Sequence, residues 1–112
     1  MAAKFELKKT KTGEFAFNLK AGNGEIILTS ESYSVKPSAK NGIASVQRNA
    51  ADDARFERKT AKNGKAFFVL KATNGQVIGK SELYETPKAM EAGIASVKKS
   101  APVATVEDLT KK

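Results

Sequence analysis

Two short polar clusters carry the residue types from which chemistry is built. Ser30-Glu31-Ser32-Tyr33 and Ser81-Glu82-Leu83-Tyr84 place a hydroxyl, a carboxylate and a phenol at the same spacing. Such a set can move a proton or hold a polar ligand by hydrogen bonds. Neither cluster contains a group that would activate it as a base or nucleophile. The chain has no His and no Cys, which removes the commonest general base, thiolate nucleophiles and Cys/His zinc sites. Two glycine-bearing loops invite a phosphate. Gly22-Asn23-Gly24-Glu25 lacks the third glycine of a dinucleotide fingerprint and joins two strands rather than a strand and a helix. Ala61-Lys62-Asn63-Gly64-Lys65 lacks the spacing and the following Ser or Thr of a phosphate loop. No catalytic residue, metal site or cofactor is therefore expected. Ser30, Glu31, Tyr33, Ser81, Glu82 and Tyr84 stand as candidate binding residues. The structural alternative is a Tyr packed at a strand-to-helix corner, with Ser and Glu capping the turn.

Positive charge is the second candidate feature. Lys8, Lys11 and Lys20 recur as Lys59, Lys62 and Lys71, in a chain with 20 basic and 12 acidic residues and a net charge of +8. Binding of RNA or DNA needs such a surface together with exposed aromatic platforms. The chain has no Trp, and most of its aromatics read as core, so only weak, sequence-tolerant nucleic-acid binding is expected. The exceptions are Phe67 and Val69, where the first half of the chain has Ala16 and Asn18. If Phe68 and Leu70 face a core, these two point the other way. With Ile78 they would form an apolar patch for a protein partner or a homodimer, unless the rest of the chain covers them.

The elements that position these residues come in two copies. Residues 5–50 laid over 56–101 without a gap match at 21 of 46 positions. The matches include Phe5/Phe56, Leu19/Leu70, Tyr33/Tyr84 and the run Gly42–Val46 against Gly93–Val97. In each copy two alternating segments, Lys4–Lys9 and Phe15–Ala21 in the first, read as strands. Placing both apolar sets on one face requires Phe5 opposite Leu19, Leu7 opposite Phe17 and a three-residue loop, Lys11-Thr12-Gly13. Asn23-Gly24 and Asn74-Gly75 read as two-residue type I′ turns into third strands, with Leu19 opposite Leu28 and the face of Ile27 left open. Ala39, Ile43, Val46 and Ala50, like Met90, Ile94, Val97 and Ala101, then recur at helical spacing. Gly42, Ser45 and Asn49 form a small-residue strip beside that stripe, suited to close packing.

The expected fold is α+β: a tandem duplication of a β-β-β-α unit, an antiparallel sheet with its helices on one face, and pseudo-twofold symmetry within a single domain of residues 1–112. A unit of about 50 residues buries too little surface to stand alone. The repeats span 4–50 and 55–101, and residues 102–112 read as a loose C-terminal tail. The ordered motifs Phe-Glu-x-Lys, Leu-Lys-Ala-x-Asn-Gly, Ser-Glu-x-Tyr and Gly-Ile-Ala-Ser-Val, each present twice, resemble those of the YegP-like family of small bacterial tandem-repeat proteins. The resemblance implies the duplicated βββα fold and supplies no activity, substrate or catalytic residue. With no apolar run long enough to span a bilayer and no apolar leader-like start, a cytoplasmic, non-membrane protein is expected. The favoured function is a non-catalytic interaction module, ahead of a nucleic-acid binder and, last, an enzyme.

Overall fold

Alternating apolar residues make the hairpins. In the computed structural model, which describes residues 3–110, β1 (Lys4–Lys9) and β2 (Phe15–Lys20) pair antiparallel. Phe5 opposes Leu19 and Leu7 opposes Phe17, so one face receives all four, none more than 1% exposed. The loop closes as its length demands. Gly13 N–H donates to the Thr10 carbonyl with Gly13 at φ +86°, a conformation glycine adopts without steric cost.

The Asn23-Gly24 and Asn74-Gly75 loops are not the two-residue type I′ turns their sequences suggest. That turn needs positive φ at both central residues, and here only the glycines have it. Both loops reuse the three-residue solution: Gly24 N–H donates to the Ala21 carbonyl, and Ala21 N–H donates to the Glu25 carbonyl. Asn23 Oδ1 accepts the Glu25 N–H at 3.0 Å, a side-chain bond that holds the asparagine at negative φ. The register then shifts between Leu19 and Lys20: Leu19 faces Leu28, and Lys20 faces Ile26 in β3 (Ile26–Thr29). The extra residue of this bulge, Ile27, turns into the core. The second copy repeats the arrangement in β4 (Phe56–Thr60), β5 (Ala66–Lys71) and β6 (Val77–Lys80), with Ile78 at the bulge.

The strands form one sheet in the order β4-β5-β6-β3-β2-β1-β7. Two helices, α1 (Lys36–Asn49) and α2 (Pro87–Ser100), lie on the face that carries Phe5, Phe17, Phe56 and Phe68, and their apolar stripes join the same core. Thr86 Oγ1 accepts the Ala89 N–H at 3.1 Å and caps α2, whereas Val35 begins α1 without a side-chain cap. Each helix reaches across the boundary between copies: α1 packs on β2 and β6, and α2 on β5 and β3. The sheets of the two copies join where Thr29 of β3 stands opposite Lys80 of β6. Beside that junction Leu28 fills the space above Gly79, where an added Cβ would lie 2.7 Å from the leucine side chain. One core therefore serves both repeats.

Residues 102–110 are not the loose tail their sequence suggests. After a 3-10 turn at Ala101–Val103, β7 (Thr105–Asp108) runs parallel to β1, which makes the sheet mixed rather than wholly antiparallel. A physical reason lies in the repeat itself. The strand after α1 begins Phe56-Glu57 and pairs with β5; the strand after α2 carries a similar pair, Val106-Glu107. Its equivalent place, beside β2, is already filled by β1. The later strand keeps the direction of that place and takes the outer edge of β1, with Leu109 N–H donating to the Leu7 carbonyl at 2.8 Å.

Candidate functional site

Ser30 and Ser81 occupy the exits of β3 and β6 and use their hydroxyls locally. Ser30 Oγ accepts the Phe17 N–H at 2.8 Å and donates to the Glu31 carbonyl at 2.7 Å. Ser81 Oγ does the same with Phe68 and Glu82 at 2.9 and 2.8 Å. Tyr33 extends the sheet by exchanging backbone hydrogen bonds with Phe15, and its ring stacks on Phe17 at 6.3 Å. Tyr84 repeats this with Ala66 and Phe68. Each tyrosine hydroxyl lies over the backbone of a helical glycine. A Cβ on Gly42 would stand 2.5 Å from Tyr33 Oη, and Gly93 faces Tyr84 Oη in the same way. Burial, assisted by the nearby carboxylates Glu31 and Glu82, raises both phenols above their ordinary value. Glu31 and Glu82 themselves are exposed.

The opposite face of the sheet carries the lysines, and carboxylates organise them. Glu6 is buried, with Lys20, Lys4 and Lys8 ammonium groups at 3.1, 3.5 and 3.7 Å from its oxygens. Burial alone would raise its pKa, but the hydrogen bond and charge of Lys20, then those of Lys4, hold it below the ordinary value. In the second copy Glu57 has Lys71 at 2.6 Å and Lys59 at 3.7 Å. Lys8, Lys20, Lys59 and Lys71 are thus each set against a carboxylate, while Lys11 and Lys62 stand exposed in turns. Glu6 and Glu57 were the missing half of this pattern. The signal was present in Phe-Glu-x-Lys once the strand register is known, since Lys20 and Lys71 arrive from the neighbouring strand.

Of the expected apolar patch, Val69 and Ile78 drop out. Val69 is 6% exposed, flanked in register by Glu57 and Lys80, and Ile78 is turned to the core by the bulge. Phe67 stays half-buried on the open face, and Lys80 Nζ sits 5.0 Å over its ring, a contact sequence spacing did not reveal.

Phe67 lines an open groove of about 650 Å³ with Lys62, Lys80, Ser81, Glu82 and Leu83. Four of the residues singled out from sequence, Lys62, Phe67, Ser81 and Glu82, are brought together here. Leu83 is 48% exposed. The first copy has Ala16 and Ser32 at the positions of Phe67 and Leu83, so this apolar pair belongs to one repeat alone. A second cleft of about 500 Å³ joins Lys20 and Glu25 of the first copy to Glu82 and Tyr84 of the second. Among the described residues no group of three or more Asp or Glu side chains is placed to hold a metal ion.

Fold and surface together define a small α+β protein in which two copies of one unit share a seven-stranded sheet with one helix-covered face. A family model described as "Domain of unknown function (DUF1508)" matches residues 11–57 and again residues 61–108, and the chain belongs to this family. It is similar to the UPF0339 protein YegP of Escherichia coli K12, 54% identical over 98% of this chain and 100% of the other. A UPF0339 protein of Pseudomonas aeruginosa is 59% identical over 96% and 98% of the two chains. The solution NMR structure of E. coli yegP, described as a protein of unknown function, superposes with a TM-score of 0.94 at 54% identity, covering 100% of this chain and 97% of that one. That of a UPF0339 protein from Shewanella oneidensis gives 0.92 at 48% identity, over 98% and 93%. The matched unit starts after β1 and closes on the strand that follows each helix, consistent with β4 and β7 as equivalent closing strands.

Proposed function

We propose that this protein is a non-catalytic interaction module whose partner docks in the groove around Phe67 and Leu83. The observation that carries the reading is the difference between the copies. Core, turn and corner residues recur in both, but only the second places two large apolar side chains on the surface at this point, framed by Lys62, Lys80 and Glu82. An apolar centre with a charged rim is the make-up of a protein-binding spot. The Ser-Glu-x-Tyr motifs, the strongest candidates for chemistry, have their hydroxyls engaged in turn and corner geometry, which supports a role without catalysis. The reading places the protein in the cytoplasm, which cell fractionation tests. No described helix is long and apolar enough to cross a membrane.

Weak nucleic-acid binding is the second reading, favoured by the exposed turn lysines Lys11 and Lys62 and the net charge of +8. Ion pairing of Lys8, Lys20, Lys59 and Lys71 weighs against it, because each phosphate contact would have to displace a carboxylate. A photo-crosslinking residue in place of Leu83, compared with one at exposed Lys40 on α1, separates the cases in a native extract. The module reading expects discrete protein adducts from position 83 alone, unchanged by nuclease. Adducts lost on nuclease treatment, with binding that falls steeply as salt rises, would favour nucleic acid; none at position 83 would refute the docking site.

A further inference from the structure

We infer that the outer edge of β4 is a docking site for an extended acidic segment of a partner protein, added as an eighth strand parallel to β4. This rests on the reading of the chain as an interaction module and specifies its partner. β1 and β4 are corresponding strands of the two copies, each paired on one side with the next strand of its own hairpin. The other side of β1 is filled by Thr105–Asp108, in parallel register. The other side of β4 is the end of the sheet.

The backbone of β4 presents what an added strand needs. Main-chain groups alternate between the two sides of a strand. Glu57 and Lys59 turn theirs to β5, so Phe56, Arg58 and Thr60 turn theirs outward, as Phe5 and Leu7 do towards β7. The Phe56 N–H is taken by the Asp53 carbonyl; the Phe56 carbonyl, Arg58 N–H and Arg58 carbonyl continue the ladder.

Charge names the occupant. Lys4 of β1 binds Glu107 at 2.7 Å, and Lys36 at the start of α1 binds Asp108, which lies opposite Leu7. In the second copy the residue equivalent to Lys4 is Arg55, just before β4, that equivalent to Leu7 is Arg58, and Pro87 stands at the position of Lys36. A segment in the same register therefore sets its first acidic residue by Arg55 and its second beside Arg58. Arg55 meets Asp52 through one nitrogen at 3.5 Å, which leaves its guanidinium open to a further carboxylate, whereas Arg58 is shared between Asp53 and Glu91; the acid beside Arg55 therefore carries the selectivity. Recognition by strand addition draws its affinity from such main-chain bonds and its selectivity from alternate side chains. Thr60 and Lys62, at the end of β4, also line the Phe67 groove, so a partner chain running along β4 arrives at that surface.

The probe is a synthetic peptide with the sequence of residues 103–110, whose own place in the protein is filled in cis. NMR titration of the full chain should shift the amides of Phe56–Thr60 and leave β1 and β2 unmoved. Methylating the peptide at the nitrogen corresponding to Glu107, which faces the sheet, should weaken binding at least tenfold. Methylation at the Asp108 nitrogen, which faces away, should change it less than twofold. Replacing both acids by lysine should abolish binding. Shifts on β1 would mean exchange with β7, and equal effects of the two methylations would mean a side-chain contact; either overturns the proposal. So does a β4-to-β4 dimer, seen as sedimentation at twice the mass with Phe56–Thr60 protected before peptide is added. Loss of the β4 site with position 83 still crosslinking to protein would refute this inference and leave the module reading standing.

Discussion

Tyr33 and Gly42 show how closely a polar repeat can be tied to packing. The phenol bridges a strand corner to a helix only because position 42 has no side chain, and the same pairing recurs at Tyr84 and Gly93. Gly42→Ala should therefore destabilise by roughly 1–3 kcal/mol, the usual range for overpacking, although alanine is the better helix former. In a Tyr33→Phe background, which removes the hydroxyl in question, the cost should shrink, and thermal melts of the four variants measure it. An alanine that stabilises in both backgrounds would mean that the contact is loose. The small-residue strip and the corner tyrosine were both readable in the sequence, but not that they touch. Contact between residues on different elements has no local signature. For the same reason the lysine triplets read as free charge until strand register set Glu6 and Glu57 among them.

At the level of elements, the legible parts were those fixed by period and by loop arithmetic. The first hairpin follows from Phe5, Leu7, Phe17 and Leu19 having to share a face. Asn23-Gly24 misled because the dipeptide serves two turn types, and the choice was made by Gly22 joining the loop and by the bulge at Ile27. β7 was hidden because its pairing is parallel, distant in sequence and four residues long. β4 is anchored differently from β1, through an exposed ion-pair network. Asp53 binds Arg58 at 3.1 Å and Lys98 at 2.5 Å, and Arg58 also binds Glu91 at 2.7 Å. The hydrogen bonds from Arg58 and then Lys98 hold the Asp53 carboxyl down at about 2. A carboxyl lowered on folding stabilises above its ordinary value of 3.8 and loses that contribution as pH falls towards about 2. Melting temperature should drop over that interval, and the drop should be smaller in Asp53→Asn. An unchanged slope in the variant would place the acid sensitivity elsewhere, for instance at Asp108, whose carboxyl Lys36 and Thr110 hold low.

Across the whole molecule, the two copies are complementary rather than interchangeable. Leu28 and Gly79 are equivalent positions facing each other at the junction of the halves, so two copies of the first repeat would bring two leucines together and two of the second would leave a void. Leu28→Gly should cost at least about 2 kcal/mol through the cavity, and Gly79→Leu roughly 1–3 kcal/mol through overpacking. The double exchange should cost clearly less than their sum, because one leucine again fills the junction. Denaturant titration decides, and additive losses would show that the sites do not meet. The same asymmetry recurs on the surface, where Phe67 and Leu83 replace Ala16 and Ser32 of the first copy. The most direct test of the interaction module is to give the second repeat the first repeat's surface, Phe67→Ala with Leu83→Ser, and compare what the two proteins capture from native extract after nuclease treatment. The variant should fold, melt within a few degrees of the wild type and no longer retain the partner crosslinked from position 83. Undiminished capture of that partner by the folded variant would contradict docking at Phe67 and Leu83.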